Sequence, residues 1–135
     1  MFSRVDHVGI AVRDLNAAIA FYEKTFGVSF TYRHTAQDQG VEEAMGQVGE
    51  SWIQLLQPLG PDTPVGKFIE SRGEGVHHVG YGVEDVAQAL AELGEQGIRL
   101  VDERTRHGSL GASIAFLHPK SVGGVLTELV QAARG

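Results

Sequence analysis

The stretch Val76-His77-His78-Val79-Gly80-Tyr81-Gly82-Val83 has an earlier counterpart in Asp6-His7-Val8-Gly9-Ile10-Ala11-Val12. In both copies a histidine precedes Val-Gly, two further residues and Val, then a charged residue and Asp. His7 and His78 lie 71 positions apart, as do Asp14 and Asp85. Self-similarity at a fixed spacing marks two copies of one supersecondary unit. A histidine repeated at one structural position is a stronger signal than any single histidine.

Working outward, Val5 to Val12 alternates as a strand, with Val8, Ile10 and Val12 on one face and His7, Gly9 and Ala11 on the other. Asp14 is placed to cap a helix whose apolar stripe is Leu15, Ala18, Ile19, Tyr22 and Phe26, and Gly27 to end it in a left-handed turn. Strands follow over Val28–His34, Val41–Val48 and Ser51–Gln57, with turns at Thr35–Gly40 and Gly49-Glu50. A proline-rich linker, Pro58–Pro64, leads to a short helix over Val65–Arg72. The second copy then reads as a strand at Val76–Val83, a helix capped by Asp85 and ended by Gly97, and strands at Ile98–Val101, Ser113–Leu117 and Val125–Gln131. Arg104 to Gly111 is a charged loop.

The fold class is therefore α+β, two tandem βαβββ modules. We expect a single domain over 1–135, with module one at about 1–57, linker and short helix at 58–74, and module two at 75–135. The last strands also correspond: Gln54-Leu55-Leu56-Gln57 aligns with Glu128-Leu129-Val130-Gln131 at a spacing of 74.

The composition is that of an ordinary globular chain, with 42% hydrophobic and 21% charged residues among 135. A net charge of −6, with eleven scattered basic residues, argues against a nucleic-acid surface. The sequence has no cysteine, so it has neither disulfides nor thiolate metal sites. No apolar run approaches the ~20 residues that span a bilayer, and the N-terminus lacks the shape of a signal peptide. The expected location is cytoplasmic, with no membrane partner.

Four polar residues stand at corresponding places: His7 and His78 on the first strands, Gln54 and Glu128 on the last. Imidazole, carboxylate and carboxamide oxygen are ordinary ligands of divalent first-row metals. Gly9 and Ala11 beside His7, and Gly80 and Gly82 beside His78, leave room for an ion or ligand. His77 has the opposite parity and no histidine counterpart, and it reads as structural. His34, His107 and His118 also lack a repeat partner and read as surface or loop residues. Glu43 shares parity with Val41 and Met45, and Glu42 with Ala44 and Gly46. Glu43 therefore reads either as an inward carboxylate available for proton transfer or as a solvent-facing strand residue.

These features resemble the vicinal oxygen chelate superfamily and, within it, the methylmalonyl-CoA epimerase family. The resemblance covers nearly the whole chain. Its more specific segments are Gln57-Pro58-Leu59-Gly60-Pro61-Asp62-Thr63-Pro64-Val65 and Phe116-Leu117-His118-Pro119-Lys120-Ser121, with Gln39-Gly40-Val41-Glu42-Glu43 and Gly124-Val125-Leu126-Thr127-Glu128-Leu129 in support. It implies a metal-centred, partly closed curved sheet. His7, Gln54, His78 and Glu128 would hold one divalent ion per chain, Co2+ first and Mn2+, Ni2+, Zn2+ or Mg2+ as alternatives. Glu43 would be the catalytic base and Glu128 a second acid–base group. The implied substrate is methylmalonyl-CoA and the implied assembly a homodimer.

Epimerisation removes a proton from the carbon between carboxylate and thioester and returns it on the other face through an enolate, an oxyanion that a Lewis acid stabilises. Lys120, Ser121 and Arg104 are candidate polar contacts to coenzyme A, or solvated loop residues. The rival readings are a glyoxalase-type isomerase, a ring-cleaving dioxygenase using His7, His78 and Glu128, and a metal-free binding protein of the same fold.

Overall fold

The computed structural model describes residues 1–133. The chain forms two compact units, one of residues 7–77 and one of residues 1–6 with 78 onward. The boundary falls inside the first strand of each repeat.

The unit of residues 7–77 contains most of β1 (Arg4–Ala11), α1 (Leu15–Phe26), β2 (Phe30–Ala36), β3 (Val41–Val48), β4 (Ser51–Pro58) and α2 (Pro64–Arg72). Its strand order is β2-β3-β4-β1, with β3 antiparallel to both neighbours and β1 parallel to β4. The α1 helix starts where the Asp14 side chain accepts the Ala17 amide, at 3.0 Å. It stops at Gly27, whose φ of 69° is left-handed.

Leu15 of α1 packs with Val12, Ala44 and Leu55 on one sheet face, flanked by Ala18, Ile19 and Tyr22. Phe26, expected in that stripe, is instead 62% exposed. It lies on the last turn, where its ring meets Phe21 and Tyr22 rather than the sheet. On the opposite face Val65 and Ile69 of α2 pack with Ala11, Ala36, Val41 and Leu56. A Cβ on Gly66 would press against backbone atoms of Gly60 and Pro61, so glycine lets the helix approach the linker that closely.

The other unit contains β5 (Gly75–Gly82, mostly), α3 (Val86–Glu95), β6 (Arg106–His107), β7 (Ser113–Leu117) and β8 (Leu126–Gln131), in the strand order β5-β8-β7-β6. Asp85 caps α3 through the Gln88 amide, at 3.1 Å. Val86, Ala89 and Leu90 bury one face of the sheet with Ala115, Leu117 and Leu129. The repeat extends to the helix entries. Gln57 Oε1 accepts the Leu15 amide at 2.7 Å, and Gln131 Oε1 accepts the Val86 amide at 3.1 Å.

The element order is βαβββ in both copies, as the repeat implies. The strand expected at Ile98–Val101 is reduced to a single bridge, Leu100 to Leu117. The Phe116 carbonyl accepts both the Val101 and Asp102 amides, and the Phe116 amide goes to Asp102 Oδ2 at 2.9 Å. A side-chain acceptor thus replaces a ladder bond and ends the pairing. The edge strand is β6, inside the stretch read as a loop. Smaller shifts move β2 to Phe30–Ala36 and end α3 at Glu95, ahead of left-handed Gly97.

Candidate functional site

Each unit gathers its own polar residues on the sheet face away from α1 or α3. In the first, Gly9 is in register with Gln54, Gln54 with Met45, and Glu43 with Leu56. Registered residues point to the same side of a sheet and alternate along each strand. His7, Gln54 and Glu43 therefore share one face, where they are 5%, 4% and 1% exposed. Gln54 Nε2 donates to Glu43 Oε1 at 3.2 Å. With the amide nitrogen committed to the carboxylate, its carbonyl oxygen is the donor atom that Gln54 can offer a cation. Glu42 lies on the other face, with its carboxylate 3.2 Å from Arg33 Nε. Of the two positions Glu43 could take, the inward one is realised.

In the second unit, Gly80 is in register with Glu128 and Glu128 with Phe116. His78 Nε2 and Glu128 Oε1 lie 3.2 Å apart, both side chains buried. The His78 ring meets the Phe116 ring at a centroid distance of 5.5 Å and an interplanar angle of 81°. An imidazole nitrogen and a carboxylate oxygen at this separation either hydrogen-bond to each other or share a cation.

His77, read as structural, sets its ring edge-on to Phe68 of α2, centroids 5.1 Å apart. The space read beside Gly82 is filled in part by Arg4: a Cβ there would come within 2.7 Å of Arg4 Nη1. Gly82 therefore accommodates an arginine, itself paired to Asp6 at 2.9 Å.

Among the candidate coenzyme A contacts, the Ser121 hydroxyl is engaged by the Arg99 amide at 3.0 Å. Lys120 is exposed on a single 3-10 turn, Pro119–Ser121, and Arg104 is exposed. His118 accepts the Lys120 amide at Nδ1, at 3.2 Å. Desolvation, then the nearby Arg99 and Lys120 cations, hold its pKa below the ordinary 6.5.

Sequence reasoning missed two features of these faces. Register sets His34 opposite Glu43, on its side of the sheet. Arg106 and Phe116 stand on the face of His78 and Glu128. Neither has a repeat counterpart, and the β2 register includes a shift between Phe30 and Tyr32 that periodicity does not reveal.

The family model described as the Glyoxalase/Bleomycin resistance protein/Dioxygenase superfamily matches residues 6–116, and the chain belongs to that superfamily. The ethylmalonyl-CoA/methylmalonyl-CoA epimerase of Cereibacter sphaeroides is 38% identical over 133 residues, which span 97% of this chain and 99% of that one. A solved methylmalonyl-CoA epimerase in complex with methylmalonyl-CoA and NH4+ superposes with a TM-score of 0.96 at 42% identity, covering 98% of this chain and 96% of its own. The E43Q variant of the Streptomyces coelicolor methylmalonyl-CoA epimerase, in a complex with 2-nitronate-propionyl-CoA, gives a TM-score of 0.96 at 41% identity, over 99% and 100% of the two chains. These full-length homologues and structural neighbours are methylmalonyl-CoA epimerases.

Proposed function

We propose that the protein is a metal-dependent epimerase interconverting (R)- and (S)-methylmalonyl-CoA by proton transfer at the carbon α to the thioester. The observation that carries this reading is Glu43: a fully buried carboxylate on a face with ligand-type side chains, in a chain alignable end to end with epimerases.

We further propose that His7 and Gln54 of one unit and His78 and Glu128 of the other serve a single ion, the two units acting as one domain. Support comes from the equivalence of the four positions in the repeat and from the burial of His7, Gln54, His78 and Glu128, each within its own unit. The donor set suits a divalent first-row ion: two imidazoles, one carboxylate and one amide oxygen, with no thiolate. Cobalt is the first choice and manganese, nickel, zinc and magnesium the alternatives. When bound, the ion would supply Lewis-acid chemistry, polarising the substrate's thioester oxygen.

The chain's own residues do the rest. Glu43 takes the α-proton from one face, and Gln54 holds its carboxylate in place through Nε2. Glu128 is the candidate for returning a proton on the opposite face. A carboxylate that also holds the ion would be a weaker base than a free one. Burial of these groups excludes bulk water from the exchange. The homodimer is carried by the family resemblance, and the cytoplasmic location by the cysteine-free sequence. Among the described residues no helix is long and apolar enough to cross a membrane.

Proton NMR in deuterium oxide tests the reading. The purified, metal-loaded protein should exchange the methylmalonyl-CoA α-proton for deuterium. Absence of exchange, with metal bound, would rule the assignment out.

A further inference from the structure

The second unit carries a cation on the same face as His78 and Glu128. Arg106 is in register with Ile114, Ile114 with Val130, and Phe116 with Glu128. By strand alternation Arg106, Ile114, Phe116, Glu128, Gly80 and His78 point to one side. The Arg106 guanidinium carbon lies 5.3 Å from the centroid of the Phe116 ring, the ring that also meets His78. Exposure rises along this row, from 4% at His78 and 8% at Phe116 to 40% for the Arg106 side chain.

Arg106 is also held. Its Nε is 3.4 Å from Asp102 Oδ2, and the same oxygen accepts the Phe116 amide at 2.9 Å. Asp102 thereby ties the arginine to the strand that carries Phe116 and, among the described residues, leaves Nη1 and Nη2 to bind a ligand. A guanidinium stacked on an aromatic ring and fixed at Nε is preorganised for an anionic oxygen. In a chain of net charge −6, such a cation on a ligand-binding face selects for anions.

We propose that Arg106 is an anion-recognising residue of the substrate, binding a carboxylate or phosphate oxygen of the acyl-CoA. The proposal rests on the epimerase reading above and adds to it the residue that senses substrate charge.

The test compares wild type, Arg106→Ala, Arg106→Lys and the surface control Lys24→Ala by calorimetric titration of the metal-loaded protein. Three ligands separate the sources: coenzyme A carries phosphates alone, methylmalonyl-pantetheine a carboxylate alone, and propionyl-pantetheine neither. Arg106→Ala should weaken at least one anionic ligand about tenfold, or about 1.4 kcal/mol, and leave propionyl-pantetheine unchanged. Arg106→Lys should recover only part, because an ammonium lacks the planar fork and the stack. Weakening of coenzyme A assigns the contact to phosphate, and weakening of methylmalonyl-pantetheine to carboxylate. Unchanged dissociation constants for both anionic ligands would overturn the proposal. So would equal weakening of all three, which would mean that the Phe116 surface had been disturbed. Deuterium exchange by wild type is scored separately: its failure sinks the epimerase reading, whereas the calorimetric pattern decides the role of Arg106.

Discussion

Replacing Glu43 by glutamine separates the chemistry at this position from its packing. The carboxylate is 1% exposed and accepts a hydrogen bond from Gln54 Nε2, at 3.2 Å. Glutamine has the same length and volume, so it opens no cavity. Its carbonyl oxygen keeps the bond from Gln54, and loss of a buried charge removes a desolvation cost. Stability should therefore change by no more than about 1 kcal/mol, a Tm shift of a few degrees. The rate should respond very differently. A positioned general base contributes about 10²- to 10⁴-fold, so exchange of the α-proton should slow by about 2.7–5.4 kcal/mol in barrier.

The assay is deuterium incorporation by NMR, run beside metal analysis and thermal unfolding. Glu42→Gln is the matched control, since that carboxylate lies on the opposite face and pairs with Arg33 at 3.2 Å. Wild-type turnover in Glu43→Gln, with metal bound and the fold intact, would refute Glu43 as the base.

Three further outcomes follow from other parts of the molecule. Adding Co2+ at about a hundred times its dissociation constant should stabilise the wild type by about 2.7 kcal/mol. His7→Ala and His78→Ala, one from each unit, should each abolish that gain; a full gain in either would show that the ion does not need both. Gly66→Ala should lower stability by about 1–2 kcal/mol in thermal denaturation. Its Cβ would press on Gly60 and sit 2.9 Å from the Pro61 carbonyl oxygen, an overpacking cost only partly offset by better helix propensity. NMR titration of His118 should give a pKa below 6.5. Its folded value lies below its unfolded one, so the unfolded chain takes up the proton first on acidification. Its contribution to stability is complete above pH 6.5 and declines as pH falls through the folded value. A titration at or above 6.5 would contradict the contacts to Arg99 and Lys120.

Much of this molecule is legible without coordinates, because the relevant physics is local. Asp14, Asp85 and Gly27 act within one helical turn, and their roles follow from cap chemistry alone. Period-two alternation sets Glu43 on one side with Val41 and Met45, but which side is buried was open in the sequence, because Ala44 on the other parity is buried as well. The correspondence of His7 with His78 and of Gln54 with Glu128 is read from the repeat alone. The boundary failures are of one kind. Phe26 fits the helical period of α1, yet it lies on the last turn beyond the sheet and stays exposed. Ile98–Val101 has strand composition, but the Asp102 carboxylate takes the Phe116 amide from 14 residues away and ends the ladder.

By itself, then, the sequence determined the βαβββ repeat and the four corresponding polar positions, and it left Glu43 with two possible faces, of which the structure buries one. Each depends on spacing along one strand or helix, or on comparison of the two copies. Only the tertiary structure decided that Gln54 holds Glu43, that Arg4 fills the space beside Gly82, and that Arg106 stands on Phe116. Those contacts join residues with no periodic relation along the chain. Strand register and side-chain packing bring them together, and neither is encoded in any short window of the chain.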